Sequence, residues 1–181
     1  MRLFAALELP EDIGEALVGW GRACAGRDDA LRAVGRDALH VTLAFLGERP
    51  EDEVEPLRWA LADLAPVPSI PLTLGGAIWL APKRPHVLAC AVEDDAGLLA
   101  ALHGRVVEAL AGASGWVPER RPFVPHITVC RVRGGRRPRI EGVTGPGERL
   151  FTSPALVLMR SELGGGPARY TVLERVRASL G

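Results

Sequence analysis

Two of the four histidines in this 181-residue chain, His40 and His126, lie in matching surroundings. The segments read Leu39-His40-Val41-Thr42-Leu43 and Pro125-His126-Ile127-Thr128-Val129. Side chains alternate between faces along a β-strand, so His40 and Thr42 share one face while Val41 and Leu43 turn into a core. His126 and Thr128 repeat the pattern above Ile127 and Val129. Two residues on a strand span roughly 6.6 Å, so an imidazole and a hydroxyl can bracket a group the size of a phosphate. If the two strands face each other, two imidazoles and two hydroxyls converge on one pocket. That set suits in-line displacement at phosphorus: one imidazole takes a proton from water, and the other gives a proton to the departing oxygen. The threonine hydroxyls can donate hydrogen bonds to the non-bridging oxygens. With six threonines in the chain, chance supplies on the order of 0.1 His-x-Thr tripeptides, so two with matching apolar neighbours are read as a site. Either one alone would be read as an ordinary strand histidine beside a strand threonine.

The elements that must hold these residues follow from periodicity and breakers. RLFAALEL (2–9) alternates up to Pro10 and reads as a strand. Residues 11–25 read as a helix with acids at its start, although Gly14, Gly19 and Gly21 weaken it. LRAV (31–34) and LHVTLAFLG (39–47) read as strands, and 51–65 as a helix with an apolar stripe through Val54, Leu57, Leu61 and Leu64. Strands are expected at LTLGGAIWL (72–80), VLACAVE (87–93), PHITVCRVR (125–133), ALVLMRSEL (155–163) and ARYTVLERVRA (168–178), with a helix over 96–111. So many strands between helices exclude a doubly wound parallel sheet and predict α+β with largely antiparallel sheets. Each half holds a helix, a loop and a His-x-Thr strand, which predicts a single domain over 1–181 built of two related lobes.

Bulk composition excludes several classes. Hydrophobic residues make up 48% and charged residues 24%, ordinary values for a globular chain. No apolar run reaches the roughly 18–20 residues a membrane span requires, and the start, MRLFAALELPED, does not read as a secretory signal. A cytoplasmic location is expected. Cys24, Cys90 and Cys130 are far apart, and Cys90 and Cys130 lie in apolar strands, so buried thiols are expected rather than nucleophiles. No H-x-x-x-H or H-E-x-x-H spacing is present, and no metal site is expected. Net charge is zero, but seven arginines lie between Arg120 and Arg139, flanking the second motif. They are read either as a guide for an RNA backbone or as a solvated loop in an arginine-biased chain. Lys83 is the only lysine among the 22 basic residues.

LHVTLAFLGE and RPFVPHITVCRVR resemble the two signature motifs of the 2H phosphoesterases. Within that superfamily they are similar to the bacterial RNA 2′,3′-cyclic phosphodiesterases, also described as 2′–5′ RNA ligases. RLFAALELPED, the order of elements, and Ser161 and Tyr170 extend the similarity over the chain. The resemblance implies a bilobal α+β fold of two largely antiparallel sheets, helices on their outer faces, and a central groove. It implies metal- and cofactor-free hydrolysis of an RNA 2′,3′-cyclic phosphate end to a 2′-phosphomonoester. His40 and His126 would be the catalytic pair, and Thr42, Thr128 and Arg131 would contact the phosphate. In this family the first histidine is usually assigned as acid and the second as base; near-symmetric motifs do not separate those roles. A monomer is expected, with an RNA or ribonucleotide cyclic phosphate as its partner and no membrane contact.

The remaining candidates carry bland readings. His103 is expected as a surface or half-buried residue of the 96–111 helix, His86 as structural, and Gly164-Gly165-Gly166 as a hairpin turn. Phe4, Phe45 and Trp79 are the aromatics best placed to meet a nucleobase, but aromatics on strands are more often core, and each is expected there. Alternatives to hydrolysis are reversible 2′–5′ joining of RNA ends, turnover of a small cyclic metabolite, and a module that binds RNA ends without chemistry.

Overall fold

The structure is a computed structural model that describes residues 1–81, 83–139, 141–162, 164 and 168–179. Nine strands are present among them: β1 (Arg2–Leu7), β2 (Leu31–Ala33), β3 (Val41–Glu48), β4 (Pro71–Leu80), β5 (Val87–Glu93), β6 (His126–Val132), β7 (Leu150–Thr152), β8 (Ala155–Glu162) and β9 (Arg169–Arg177). Three α-helices accompany them: α1 (Glu11–Arg27), α2 (Val54–Ala62) and α3 (Leu98–Ala113). The expected strand-rich α+β class is observed. The short β7, which pairs with β4, is an addition to the elements expected from sequence.

The pairing path runs β7-β4-β5-β6-β3-β1-β8-β9, with β2 also on β6, and every strand pair is antiparallel. Four strands of that path lie on each side of one joint, β6 against β3, and that joint consists of one residue pair, Val41 with Ile127. Elsewhere neighbours pair over three to eight residues, so the two halves of the sheet are free to splay apart where they meet. Where two sheets were expected from sequence, the strands form one nine-stranded sheet, of which these are the halves.

Helices cover one face. Helix α1 packs on β2 and β6, α3 on β3 and α2, and α2 on β8 and β9. The main core joins Ile13 and Leu17 of α1, Leu57 and Leu61 of α2, and Leu99, Leu102 and Leu110 of α3 to the inward side chains of the strands. Burying a side chain of this size contributes roughly 1.5–3 kcal/mol, which offsets the chain entropy lost on ordering. The glycines of α1 do not interrupt the helix; they let it approach. A Cβ on Gly21 would lie 3.0 Å from the carbonyl oxygen of Val129 in β6, and one on Gly14 would collide with the Arg36 guanidinium. The opposite face of β1, β8 and β9 carries a smaller cluster of Phe4, Ala6, Val157 and Met159, packed against Tyr170 and Val172.

Candidate active site

The joint sets the register of the two motifs. With Val41 opposite Ile127 on antiparallel strands, one residue either way brings His40 beside Thr128 and Thr42 beside His126. The two imidazoles thus occupy opposite corners of a four-residue patch, and the threonines occupy the other two. Val41 and Ile127 are fully buried beneath it, while His40, Thr42, His126 and Thr128 are half-buried.

A bulge in each strand extends the patch by one residue. Along β3, Ala5 pairs with Ala44 and Ala6 with Thr42, so Leu43 is the extra residue. Along β6, Leu88 pairs with Cys130 and Ala89 with Thr128, so Val129 is the extra residue. The bulge turns two consecutive apolar side chains inward, Leu43 with Ala44 and Val129 with Cys130, and reverses the alternation beyond them. Phe45 and Arg131 then emerge on the same face as the histidines. Strict alternation would have turned Arg131, five residues from His126, to the opposite face.

The first histidine is enclosed. The loop before it is tied down by Arg36, which donates to the carbonyl oxygens of Leu9 and Pro10 at 3.2 Å each. The His40 ring lies 4.8 Å from Phe4 and 5.6 Å, nearly perpendicular, from Tyr170. Its Nδ1 is buried without a hydrogen-bond partner among the described residues. Burial, and then the positive charges of Arg131 and His126, lower its pKa from 6.5 to about 4, so the ring is neutral at pH 7. The second histidine is anchored differently. Nδ1 of His126 lies 2.7 Å from the carbonyl oxygen of Val124; as donor there, it directs Nε2 outward.

Two hollows meet at Thr42 and Phe45. One, of about 390 Å³, is lined by Arg2, Phe4, Arg32, His40, Thr42, Arg131, Ser161 and Tyr170, among others. It holds three guanidiniums and no carboxylate, and among the described residues none of Arg2, Arg32 and Arg131 has an ion-pair partner. Arg2 rests on the Phe45 ring at 4.7 Å, and Arg32 pairs across strands with Arg131. The other hollow, of about 480 Å³, runs from His126 and Val124 past Phe123 and Trp116 to His86.

All five residues singled out in sequence, His40, Thr42, His126, Thr128 and Arg131, are therefore brought to one face. Sequence reasoning missed Arg2 and Arg32. Their signal was weak, because arginine is abundant and both lie on strands remote from the motifs. Phe45, expected in the core, is 39% exposed at the site; the apolar doublet Leu43-Ala44 was the available sign of a bulge. Phe4 is buried as expected, but against His40, and Trp79 is half-buried and packs on the core. His86 is exposed, and His103, expected at the surface or half-buried, is half-buried and stacks on Phe123 at 4.0 Å. Cys90 and Cys130 are buried, and burial pushes both thiols up to about 12. Strands β8 and β9 pair out to Glu162 with Arg169, a hairpin, although Gly165, Gly166 and most of its turn lie outside the described residues.

The sequence model of the 2′-5′ RNA ligase superfamily matches residues 10–137, both motifs included. A protein of Escherichia coli K12 named RNA 2′,3′-cyclic phosphodiesterase is 34% identical, over 96% of this chain and 94% of its own length. The chain belongs to the 2′-5′ RNA ligase superfamily. A second relative of that name, from Thermus thermophilus, is 32% identical over 97% of this chain and 89% of its own. The fold agrees as well: the crystal structure of E. coli LigT in apo form superposes with a TM-score of 0.81 at 28% identity, covering 99% of this chain and 98% of that one. Membership in this superfamily is what the motifs implied.

Proposed function

We propose that this chain hydrolyses the 2′,3′-cyclic phosphate end of RNA to a 2′-phosphomonoester by paired-histidine acid–base catalysis, without a metal or other cofactor. The observation that carries the reading is the Val41–Ile127 register, which sets two imidazoles and two hydroxyls at alternate corners of one patch. The relatives' names supply the substrate class. Water attacks phosphorus in line with the P–O3′ bond. One imidazole accepts the water proton, the P–O3′ bond breaks, and the other imidazole protonates O3′. The threonine hydroxyls and the guanidiniums of Arg2, Arg32 and Arg131 face the charge that develops on the non-bridging oxygens. A cyclic phosphate at these positions requires a ribose 2′-oxygen, so the substrate is ribonucleotide in origin.

The same step with a 5′-hydroxyl in place of water forms a 2′–5′ linkage, the reaction for which the superfamily is named. A monomer, formed as a single domain with two lobes, is part of the same proposal. Three free cysteines suit the reducing cytoplasm. No described helix is long and apolar enough to cross a membrane.

The test is hydrolysis of a 2′,3′-cyclic nucleotide and of a cyclic-phosphate-ended oligoribonucleotide by chelator-treated protein. Release of 2′-phosphomonoester is expected. Absence of turnover on both substrates would overturn the substrate assignment, and turnover only with added metal would overturn the metal-free mechanism.

A further inference from the structure

The structure divides six of the seven arginines that flank the second motif. Arg131 enters the catalytic hollow, Arg121 pairs with Glu119, and the backbone N–H of Arg139 donates to the Asp28 carboxylate at 2.7 Å. Arg133, Arg136 and Arg137 instead join Lys83 and Arg84 around a separate cleft of about 820 Å³. Five basic side chains and no acidic one line it. It lies between the loop before β5 and the loop after β6, stitched together where the Val132 N–H donates to the His86 carbonyl oxygen. The far loop is held in place: Arg133 donates to the Asp29 carbonyl oxygen, Arg136 pairs with the Asp29 carboxylate at 3.4 Å, and Gly135 takes a positive φ of 75° at the turn. Lys83, Arg84 and Arg137 are exposed, and none makes an ion pair among the described residues.

This cleft adjoins the hollow that contains the second motif. His86 lines both the cleft and the hollow that contains Thr42 and His126. From His126 to Val132, β6 rises roughly 20 Å at about 3.3 Å per residue, farther than a single nucleotide held at the histidines extends. The hollow between offers the stacked, half-buried rings of Phe123 and His103, flat surfaces on which a base can lie.

We propose that the cleft of Lys83, Arg84, Arg133, Arg136 and Arg137 binds the phosphate backbone of single-stranded RNA several nucleotides from the cyclic end. The enzyme then selects oligoribonucleotides over mononucleotides. This rests on the function proposed above for the substrate's reactive end. Single-stranded RNA fits because the contacts are phosphate-directed, aromatic rings lie between the cleft and the histidines, and these mark a site for a chain terminus.

The triple variant Lys83→Ala/Arg84→Ala/Arg137→Ala spares the residues that anchor the loop and those of the catalytic face. Its kcat/KM for a decaribonucleotide with a 2′,3′-cyclic phosphate end is expected to fall at least ~10-fold, while that for a 2′,3′-cyclic mononucleotide stays within about 2-fold. The slope of log affinity against log salt for the decamer is expected to flatten by about 2, at roughly 0.7 per lost phosphate contact. Equal effects on both substrates, or none on either, would overturn the proposal. Anisotropy with a 2′-phosphate-ended decamer reads the cleft without catalysis: unchanged affinity in the triple variant overturns it. Weakened affinity in a protein that hydrolyses neither substrate leaves the cleft standing and sinks the catalytic reading instead. Binding to anionic phospholipid vesicles that depends on the same three residues, with decamer affinity unchanged, would assign the cleft to a membrane surface and not to RNA.

Discussion

The two His-x-Thr strands share a sequence pattern and a bulge, yet they present their histidines in different electrostatic settings. His40 is packed among Phe4 and Tyr170 with an unpartnered Nδ1 and a pKa lowered to about 4. His126 is braced by the Val124 carbonyl and opens on the hollow that leads to His86. The residue lifted by each bulge differs too: Phe45, which carries Arg2 on its ring, against Arg131, which brings its charge directly. Near-identical motifs thus create an asymmetric pair, because the ring environment comes from β1 and β9 on one side and from a loop carbonyl on the other. Two of the three causes that lower the pKa of His40 are positive charges, and a bound phosphodiester anion offsets both.

The largest expected effect comes from removing either imidazole. His40→Ala and His126→Ala should each lower kcat by about 10²–10⁴-fold with an unchanged circular-dichroism spectrum. Near-full activity in either would break the pairing. A p-nitrophenyl phosphodiester sharpens the comparison, since its leaving group needs no proton. The variant that lacks the acid should recover most of its rate on that substrate, and the variant that lacks the base should not. If both recover or neither does, the acid–base division is wrong.

Next come the hydroxyls. Thr42→Val and Thr128→Val should each lower kcat on the order of 10²-fold, with smaller changes in KM, as befits donors that meet charge developing in the transition state. A rise in KM alone would assign them to ground-state binding.

Arg131→Ala tests the link between the two strands. It removes one positive neighbour of His40, so the His40 pKa should rise from about 4, measured by NMR titration, while kcat/KM falls about 10-fold. A fixed pKa would mean that the Arg131 charge is screened out of the first pocket.

The smallest effect is on stability. The folded state lowers the pKa of His40, so between pH 6.5 and about 4 the unfolded chain binds the extra proton. The contribution is complete above 6.5 and is lost as pH falls through about 4. At 1.36 kcal/mol per pH unit it amounts to at most about 3 kcal/mol. Denaturant midpoints of the wild type should therefore fall relative to those of His40→Leu as pH drops through this window. Parallel pH profiles would show that burial imposes no penalty on the charged ring.

Much of the molecule is legible in the chain before it folds. The strand-rich order, the three helices and the inward turn of Val41 and Ile127 follow from periodicity, because each is a local consequence of side-chain alternation. The glycines of α1 misled in the opposite direction: propensity predicts a weakened helix, whereas Gly14 and Gly21 leave room for Arg36 and for the Val129 carbonyl, which approach from farther along the chain.

The sequence by itself determined which residues could do the chemistry, since a duplicated His-x-Thr over apolar neighbours has few other uses. Only the tertiary structure decided that the motifs meet through one residue pair, that bulges raise Phe45 and Arg131 beside them, and that Arg2 and Arg32 line the same hollow as Arg131. Those decisions rest on strand register and on bulges, which are set between strands distant in sequence, and local periodicity carries no record of either.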